Sequence, residues 1–331
     1  MSKIAFLISN FGRRRVFTDQ HIDRLSALGE LSVYDRDDFL DREYVLDFVK
    51  GAEVIITSGQ SPEIDEEILA LCPDLRMLIH AAGSVKPVVT PALIERGIRV
   101  ASSANELSRG VAETTLGLAL AACKGAFFLP NDMKKGMWNE NNHKIKDFYN
   151  IKIGVIGAGF AGRYFIKLLR DFRVDILVYD PTLTKEQIRD ELGAEKRELS
   201  ELLAESDVIS IHAPSIPETD NMLNETNIPL IRDGSILINT ARGKLIDEAA
   251  LIKECAKNRF TAILDVYWPE PPAVDNPLRK MDNVVLLPHV AGFETNGAFR
   301  VGEHTCEEAE RFFAGEKLEC EIDLSKLSIM A

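Results

Sequence analysis

Short apolar runs alternate with amphipathic stretches along the first third of the chain. Five such runs are present: KIAFLIS (3–9), LSVYD (31–35), AEVIITSG (52–59), LRMLIHAAGS (75–84) and IRVASSA (98–104). Continuous apolar strands separated by helices are typical of a parallel sheet that is covered on both faces. The pattern therefore predicts a doubly wound α/β unit in this part of the chain.

The same pattern starts again at Ile151. Its runs are IKIGVIGAGFAG (151–162), DILVYD (175–180), VISIHAP (208–214), SILINTARG (235–243), TAILDVYW (261–268) and NVVLLPHVAG (283–292). They predict a second parallel sheet of about six strands, which is the size expected of a dinucleotide-binding unit. The fold class is accordingly α/β, with two doubly wound parallel-sheet domains.

Two helical segments flank the second unit. VAETTLGLALAACKGAFF (111–128) predicts one long packed helix, followed by a polar segment at 134–150 that could be an arm reaching a partner subunit. Trp138 in this segment could shield the cleft of the neighbouring subunit or anchor the arm. AFRVGEHTCEEAERFFAGE (298–316) predicts a second amphipathic helix. This helix and the tail after it are too short to fold alone, so we expect them to pack on the first domain.

Composition limits the possible partners. With 331 residues, 46% of them hydrophobic, the chain is longer than one hydrophobic core usually grows, which favours two domains. The 39 basic and 52 acidic residues give a net charge of −13, so nucleic acid and anionic membranes are poor partners. The five cysteines form no metal-ligand spacing, and no apolar stretch is long enough for a membrane helix. We expect a cytoplasmic protein with reduced cysteines and no bound metal.

A glycine-rich turn opens the second unit. Gly157, Gly159 and Gly162 match G-x-G-x-x-G between the strand IKIGVI and a following helix. Missing side chains let a pyrophosphate approach the backbone, and the helix N-terminus offers free N–H groups. Asp180, at the end of the next strand, could accept the ribose hydroxyls or simply cap the following turn. Because no arginine follows Asp180 at once, NAD is favoured over NADP.

Polar residues end several strands of the second unit. In an open α/β sheet, ligands bind beyond the carboxyl ends of the strands. The residues concerned are His212-Ala213-Pro214, Asn239 to Gly243, Asp265, Glu270 and His289. A histidine at such a strand end is by itself more often structural than catalytic, so its neighbours decide its role.

The ordered motifs GAGFAG, VYD, HAP, INTARG, LDVYWPEPP and LPHVAG resemble those of the D-isomer-specific 2-hydroxyacid dehydrogenases. VAETTLG and SGQSPEIDEE extend the likeness over nearly the whole chain. The resemblance implies a Rossmann NAD-binding domain (106–295) inserted into a flavodoxin-like substrate domain (1–105 plus 296–331). It also implies a cleft between the domains and a homodimer formed through the NAD-binding domain and the 124–150 arm.

The resemblance also implies residue roles that match the chemistry of 2-keto acid reduction. His289 is expected to supply the proton, because histidine titrates near neutral pH. Glu270 would pair with His289 and fix its tautomer, and Arg242 would hold the substrate carboxylate through its planar fork. Asp265 is expected to support another site residue or to lie on the cofactor side, rather than to donate a proton.

The expected cofactor-binding set covers the glycine turn and the strand ends. Its members are Gly157, Gly159, Phe160, Ala161, Gly162, Asp180, His212, Ala213, Pro214, Thr219, Thr240, Ala241, Asp265 and Gly292. The amides of Ala82, Gly83 and Ser84 are expected to bind the substrate carboxylate, although this segment lacks the aspartate that the family usually carries there. The segment His289 to Thr295 also departs from the family pattern, which suggests a bulkier or more acidic wall at Phe293 and Glu294.

Several interpretations stay open at this stage. Arg13, Arg14 and Arg15 predict either a solvated basic turn or a site for a second anionic group, and His80 either packs or serves the site. The function could also be that of an NAD-sensing corepressor on the same fold. Formate dehydrogenase is disfavoured, because that branch pairs its histidine with glutamine. Glyoxylate, hydroxypyruvate, phosphohydroxypyruvate, pyruvate and branched 2-keto acids all satisfy Arg242 and His289.

Overall fold

The structure, a computed structural model, describes residues 2–292 and 295–329. Of these, residues 2–108 and 295–329 form unit 1, and residues 109–292 form unit 2. The division after Ser108 falls inside a continuous helix, Ala104–Cys123. The boundary expected after residue 105 falls in the same helix. Phe293 and Glu294, expected to form a bulky or acidic wall, lie outside the described residues.

Unit 1 is built on a parallel sheet of five strands in the order β2-β1-β3-β4-β5. The strands are β1 (Lys3–Leu7), β2 (Glu30–Val33), β3 (Val54–Thr57), β4 (Met77–His80) and β5 (Arg99–Ser102). The helices are α1 (Asn10–Val16), α2 (Asp19–Leu28), α3 (Arg42–Val49), α4 (Glu66–Leu71), α5 (Pro91–Glu95), the start of α6 (Ala104–Cys123) and α12 (Thr295–Ala314). This strand order is the flavodoxin-like one, as predicted.

The helix near the chain end completes the core of unit 1. Val301, Cys306 and Ala309 of α12 are fully buried in one cluster with Ile4 and Phe6 of β1. After α12, Ile322 donates its backbone N–H to Val100 and so pairs the tail with the edge strand β5. The tail therefore covers an edge that would otherwise expose unpaired backbone groups.

One sequence expectation fails in unit 1. Arg13, Arg14 and Arg15 lie inside α1, which begins at Asn10 after its N-cap Ser9. The expected basic turn is therefore wrong, because the Ser9 side chain accepts from the Gly12 amide and starts a helix directly after β1.

Unit 2 contains a parallel sheet of seven strands in the order β12-β11-β10-β9-β6-β7-β8 within the described residues. The strands are β6 (Tyr149–Ile156), β7 (Arg173–Tyr179), β8 (Glu195–Lys196), β9 (Val208–Ile211), β10 (Ile236–Asn239), β11 (Thr261–Leu264) and β12 (Val284–Leu286). The helices are the rest of α6, α7 (Leu129–Lys134), α8 (Phe160–Leu169), α9 (Lys185–Leu192), α10 (Leu199–Glu205) and α11 (Glu248–Cys255). The order is that of a Rossmann sheet, as predicted.

The strand that sequence reasoning missed is β8. It has two residues, Glu195 and Lys196, and pairs with Leu177 and Val178 of β7 at the edge of the sheet. Two charged residues carry no apolar run, so the prediction of about six strands was one short. The other six strands follow the predicted runs, and their carboxyl ends share one edge of the sheet.

Candidate active site

His289 and Glu270 form a direct pair at the carboxyl edge of the unit 2 sheet. The Nδ1 atom of His289 lies 2.7 Å from Oε2 of Glu270, and the other carboxylate oxygen, Oε1, accepts from the Tyr267 amide at 2.8 Å. Because a carboxylate only accepts, the Nδ1 atom of the ring must carry the proton that it donates. Nε2 is therefore the ring atom that can exchange a proton with a ligand.

The backbone that carries His289 is held by Asp265. The two carboxylate oxygens of Asp265 accept from the amides of Val290 and Ala291, each at 2.9 Å. His289 itself has a left-handed φ of 55°, a conformation that costs a non-glycine residue free energy and needs support from its surroundings. Asp265 supplies this support, so its contacts hold the backbone beside the histidine in position.

Helix α6 supports the same segment from its other side. Thr114 donates its hydroxyl to the carbonyl of Ala291 at 3.0 Å. A Cβ atom at Gly110 would lie 3.3 Å from the carbonyl oxygen of Gly292, so this glycine allows α6 to approach closely. The motif VAETTLG therefore has a local function, which sequence reasoning noted only as part of the family likeness.

Arg242 follows β10 on a turn that Asn239 closes. The Asn239 side chain accepts from the Ala241 amide and donates to the carbonyl of Arg242, which fixes the backbone of the turn. The surrounding protein disfavours the charged guanidinium and lowers the pKa of Arg242, while the Glu270 carboxylate acts in the opposite direction. Arginine still remains a cation at neutral pH, since its ordinary pKa is far higher.

Gly243 links the arginine turn to the segment that carries Glu270. A Cβ atom at Gly243 would lie 2.0 Å from the carbonyl carbon of Tyr267, so only glycine fits there. The Tyr267 hydroxyl donates to the carbonyls of Leu264 and Leu287, the ends of neighbouring strands β11 and β12. Burial raises the pKa of Tyr267 to about 12, so this hydroxyl keeps its proton. The structure thus joins Arg242, Glu270 and His289 through one packed framework.

The glycine turn forms a cradle of free amide groups before α8. Within residues 2–292 and 295–329, no group accepts a hydrogen bond from the amides of Gly159, Phe160, Ala161 or Gly162. A Cβ atom at Gly159 would meet nothing within 4 Å, whereas one at Gly162 would lie 2.1 Å from the Gly157 carbonyl. Gly162 therefore serves packing, and Gly159 leaves open space beside the amides. This arrangement fits a dinucleotide pyrophosphate.

Asp180 ends β7 beside this cradle. One carboxylate oxygen accepts from the Ala158 amide at 2.8 Å, and the other accepts from the amide and hydroxyl of Thr182. The turn-capping interpretation is therefore correct. A carboxylate has about four acceptor positions, so about one remains for a ribose hydroxyl.

His212 is buried where β9 ends. Its Nε2 lies 2.9 Å from the Ser210 hydroxyl, while Nδ1 has no hydrogen-bond partner among the described residues. Burial lowers the pKa of His212 to about 3, so the ring is neutral. A Cβ atom at Gly157 would lie 2.7 Å from the Ala213 amide nitrogen, which shows that this strand end packs on the glycine turn.

The remaining expected cofactor residues have local contacts of their own. The Thr219 hydroxyl donates to the carbonyl of Pro214 at 2.6 Å and closes the turn after β9. Thr240, which is buried, lies 2.9 Å from the hydroxyl of Thr115 on α6. These contacts place both threonines in the frame of the site, and cofactor contact remains a prediction for them.

Unit 1 carries a separate set of free amides after β4. Serine hydroxyls take the carbonyls of this segment: Ser58 donates to Ala81, and Ser102 donates to Ala82 and Gly83. The amides of Ala82, Gly83 and Ser84 donate to no described residue. Consecutive free amides make an anion-binding nest, and we call residues 82–84 the amide nest. Sequence reasoning missed Ser58 and Ser102, whose role has no sequence signal.

His80 lies behind the nest rather than in it. It is 1% exposed, and its Nδ1 lies 3.0 Å from the Thr57 hydroxyl. Burial lowers the pKa of His80 to about 4, so the ring is neutral and its packing role is the one the structure supports.

The described residues also bear on metal binding and membrane insertion. They contain no group of three or more His, Cys, Asp or Glu residues that could hold a metal ion. None of their helices is both long enough and apolar enough to span a membrane.

Comparisons with known proteins identify the family of this chain. Residues 116–291 match the family model "D-isomer specific 2-hydroxyacid dehydrogenase, NAD binding domain". A glyoxylate reductase of Pyrococcus furiosus is 33% identical over 86% of this chain and 87% of its own length. A crystal structure of a phosphoglycerate oxidoreductase from Rhizobium etli is 25% identical, with a TM-score of 0.80 over 98% of this chain and 99% of that one.

Some relatives are longer than this chain. A D-3-phosphoglycerate dehydrogenase of Methanocaldococcus jannaschii is 29% identical over 93% of this chain but only 58% of its own length. The chain thus spans about half the length of such relatives. Because the family model covers more than half of the chain, the protein belongs to the D-isomer specific 2-hydroxyacid dehydrogenase family and has a nicotinamide dinucleotide-binding domain.

Proposed function

We propose that the protein is an NAD-dependent dehydrogenase that interconverts a 2-keto acid and its D-2-hydroxy acid. The observation that carries the proposal is the 2.7 Å pair of His289 and Glu270, set on the same framework as Arg242. This pair offers a proton at one defined atom, and Arg242 offers a planar cation. Keto acid reduction needs both groups.

The proton moves through His289. Nδ1 stays bound to Glu270, so Nε2 gives its proton to the carbonyl oxygen while the carbonyl carbon gains a hydride. A bound nicotinamide cofactor would supply that hydride. In the oxidative direction Nε2 takes the hydroxyl proton back. Glu270 stabilises the protonated ring and keeps it in one orientation.

Each unit carries anion-recognising groups of its own. Arg242 is the proposed clamp for the substrate carboxylate, because its fork matches two oxygens. The amide nest of unit 1 is the second proposed set of donors. Its three amides have no acceptor among the described residues, and Ser58 and Ser102 bind the carbonyls of the same segment.

NAD(H) is the proposed cofactor, in preference to NADP(H). The glycine cradle takes the pyrophosphate, and Asp180 accepts a ribose hydroxyl with its remaining acceptor position. A carboxylate at this point repels a 2′-phosphate. We expect NADH to exceed NADPH in kcat/KM by about tenfold or more, which corresponds to about 1.4 kcal/mol.

A homodimer is the proposed assembly. The segment between α6 and β6 exposes Met133 (52%), Trp138 (72%) and Ile145 (37%), all in unit 2. Exposed apolar side chains grouped in one segment are typical of an interaction surface. Sedimentation of the wild type and Trp138→Ala tests this, and a monomeric wild type would contradict it.

The test of the function is NADH oxidation with a panel of 2-keto acids, with chiral analysis of the product. Turnover of at least one acid to the D-hydroxy acid, one NADH consumed for each product, supports the proposal. An L-hydroxy acid product would contradict it. Tight NADH binding with no turnover across the panel would favour the sensor interpretation instead.

A further inference from the structure

Unit 1 contains a cavity of about 300 Å³ beyond the carboxyl ends of β1, β3 and β4. Ile8 and Ser9 follow β1, residues 58–61 follow β3, and Ala82 follows β4. Ala82 belongs to the amide nest as well, so the cavity and the nest are adjacent parts of one surface. We call this space the β1–β3 cavity.

Apolar side chains supply most of the walls of the β1–β3 cavity. They are Ile8, Phe11, Val16, Phe39, Ala82 and Leu107. Phe11 is 55% exposed, although burial of a phenyl ring is favourable in free energy. A ligand in the cavity would cover part of this ring.

Two of the three serines in the walls, Ser58 and Ser61, have their hydroxyl protons committed elsewhere. Ser58 donates to the carbonyl of Ala81, and Ser61 donates to the carbonyl of Leu7 at 2.6 Å. The Ser9 hydroxyl accepts from the Gly12 amide. Ser58 and Ser61 therefore contribute no hydrogen-bond donor to a ligand, and their surfaces serve as neutral walls.

Arg15 and Gln60 are the long polar side chains of the lining. The guanidinium carbon of Arg15 lies 5.5 Å from the centroid of the Phe11 ring, and Arg15 is exposed to water. Water screens an exposed cation, so its attraction for a buried anion is modest. An anionic group placed against the apolar walls would lose hydration that these walls do not replace.

The volume of the cavity also sets a lower limit to its ligand. About 300 Å³ lies at the small end of cavities that hold organic ligands. The hydrogen of glyoxylate or the methyl of pyruvate would leave most of this space without contacts, and unfilled space forfeits dispersion energy. A branched alkyl or benzyl group would contact the walls.

We propose that the β1–β3 cavity receives the substituent of the 2-keto acid, and that this substituent is bulky and apolar. The inference rests on the proposed function, since the amide nest beside the cavity must hold the carboxylate of the same acid. It names a substrate class of aromatic or branched-chain 2-keto acids.

The test compares kcat/KM with NADH for acids that differ in size and charge. Pyruvate is the small acid, 4-methyl-2-oxopentanoate and phenylpyruvate are the bulky apolar ones, and 2-oxoglutarate and 3-phosphohydroxypyruvate are the anionic ones. We expect the bulky apolar acids to exceed pyruvate and both anionic acids by about tenfold or more, as apolar pockets discriminate by this amount for each methylene. Preference for pyruvate, or for either anionic acid, would overturn the proposal.

Two variants tie the preference to the cavity. Phe11→Ala removes an exposed wall, and Gly59→Leu fills space, because a Cβ atom at Gly59 meets nothing within 4 Å. Both should reduce the ratio of kcat/KM for phenylpyruvate over pyruvate by about tenfold. Phe299→Ala removes an exposed ring of the same unit outside the cavity and should leave the ratio unchanged. Equal ratios in all four proteins would overturn the assignment.

A binding measurement separates this inference from the proposed function. Calorimetric titration of the acids into the protein with NAD⁺ reports affinity without turnover. Phenylpyruvate should bind more tightly than pyruvate, and Phe11→Ala should lose this difference. That result would support the cavity assignment even if no acid is reduced and the dehydrogenase proposal fails. Equal affinity for both acids would reject the cavity. If 2-oxoglutarate or 3-phosphohydroxypyruvate binds best and Arg15→Gln removes that preference, the site takes an anionic substituent instead.

Discussion

At the scale of single residues, Arg242 combines two properties that lysine lacks. Its guanidinium is planar, and the turn that carries it is locked by Asn239. Arg242→Lys keeps the charge but loses the two-point geometry, so we expect KM for the keto acid to rise and kcat to fall together, each by about tenfold or more. Steady-state kinetics measures both constants. Arg232→Lys, at an exposed arginine of the same unit, is the matched control, and a change in stability alone would reject the clamp.

Asp265 holds the backbone beside His289, the proposed proton donor, in place. Asp265→Asn leaves one of the two amides, Val290 or Ala291, without an acceptor and frees the left-handed backbone at His289. We expect kcat to fall by about ten- to a hundredfold, as small displacements of reacting groups cost this much.

The control for this variant is Asp247→Asn, because Asp247 caps α11 and asparagine caps equally well. Kinetics of both proteins, together with NADH affinity, completes the comparison. An unchanged kcat in Asp265→Asn would show that the backbone at His289 keeps its conformation without Asp265.

At the scale of elements, the glycine turn before α8 contains one glycine that serves packing and another that leaves space for a ligand. A Cβ atom fits at Gly159 without contact, but at Gly162 it would lie 2.1 Å from the Gly157 carbonyl. We therefore expect Gly159→Ala to keep the stability of the protein and weaken NADH binding, and Gly162→Ala to lower the free energy of unfolding. Thermal unfolding and calorimetric NADH titration distinguish the two. Equal NADH affinity in Gly159→Ala and the wild type would place the pyrophosphate elsewhere.

The elements also show how much of the fold and of the candidate site can be predicted from the sequence. Apolar runs located every strand except β8, because its two charged residues lack a hydrophobic pattern. Strand-end motifs located His289, Glu270 and Arg242. The contacts that hold these residues depend on hydroxyl and carboxylate groups reaching backbone atoms far along the chain, as with Thr114 and Ala291. Such contacts have no periodicity and no local spacing, so they were not predicted.

At the scale of the whole molecule, two buried neutral histidines make stability depend on pH. Burial lowers the pKa of His80 to about 4 and that of His212 to about 3, whereas an unfolded chain would protonate both near pH 6.5. Below pH 6.5 the unfolded state binds more protons, so acidification lowers the free energy of unfolding down to the folded pKa values. The slope is up to about 1.4 kcal/mol per pH unit for each histidine.

Denaturant unfolding between pH 7 and pH 4 measures this slope. Because carboxylates contribute in the same direction, the informative quantity is the difference between the wild type and the variants His80→Gln and His212→Gln. Each variant should show a shallower loss of stability over this range. Parallel curves would mean that neither histidine is held neutral by the fold.

The central claim is that His289, oriented by Glu270, moves the proton in an NADH-dependent reduction. The most direct test measures NADH affinity and turnover in the wild type and in His289→Ala, with the keto acid that the wild type uses best. The account predicts NADH affinity within about twofold of the wild type and turnover reduced at least about a hundredfold, the usual share of general acid catalysis. Turnover that survives the loss of His289 would contradict it.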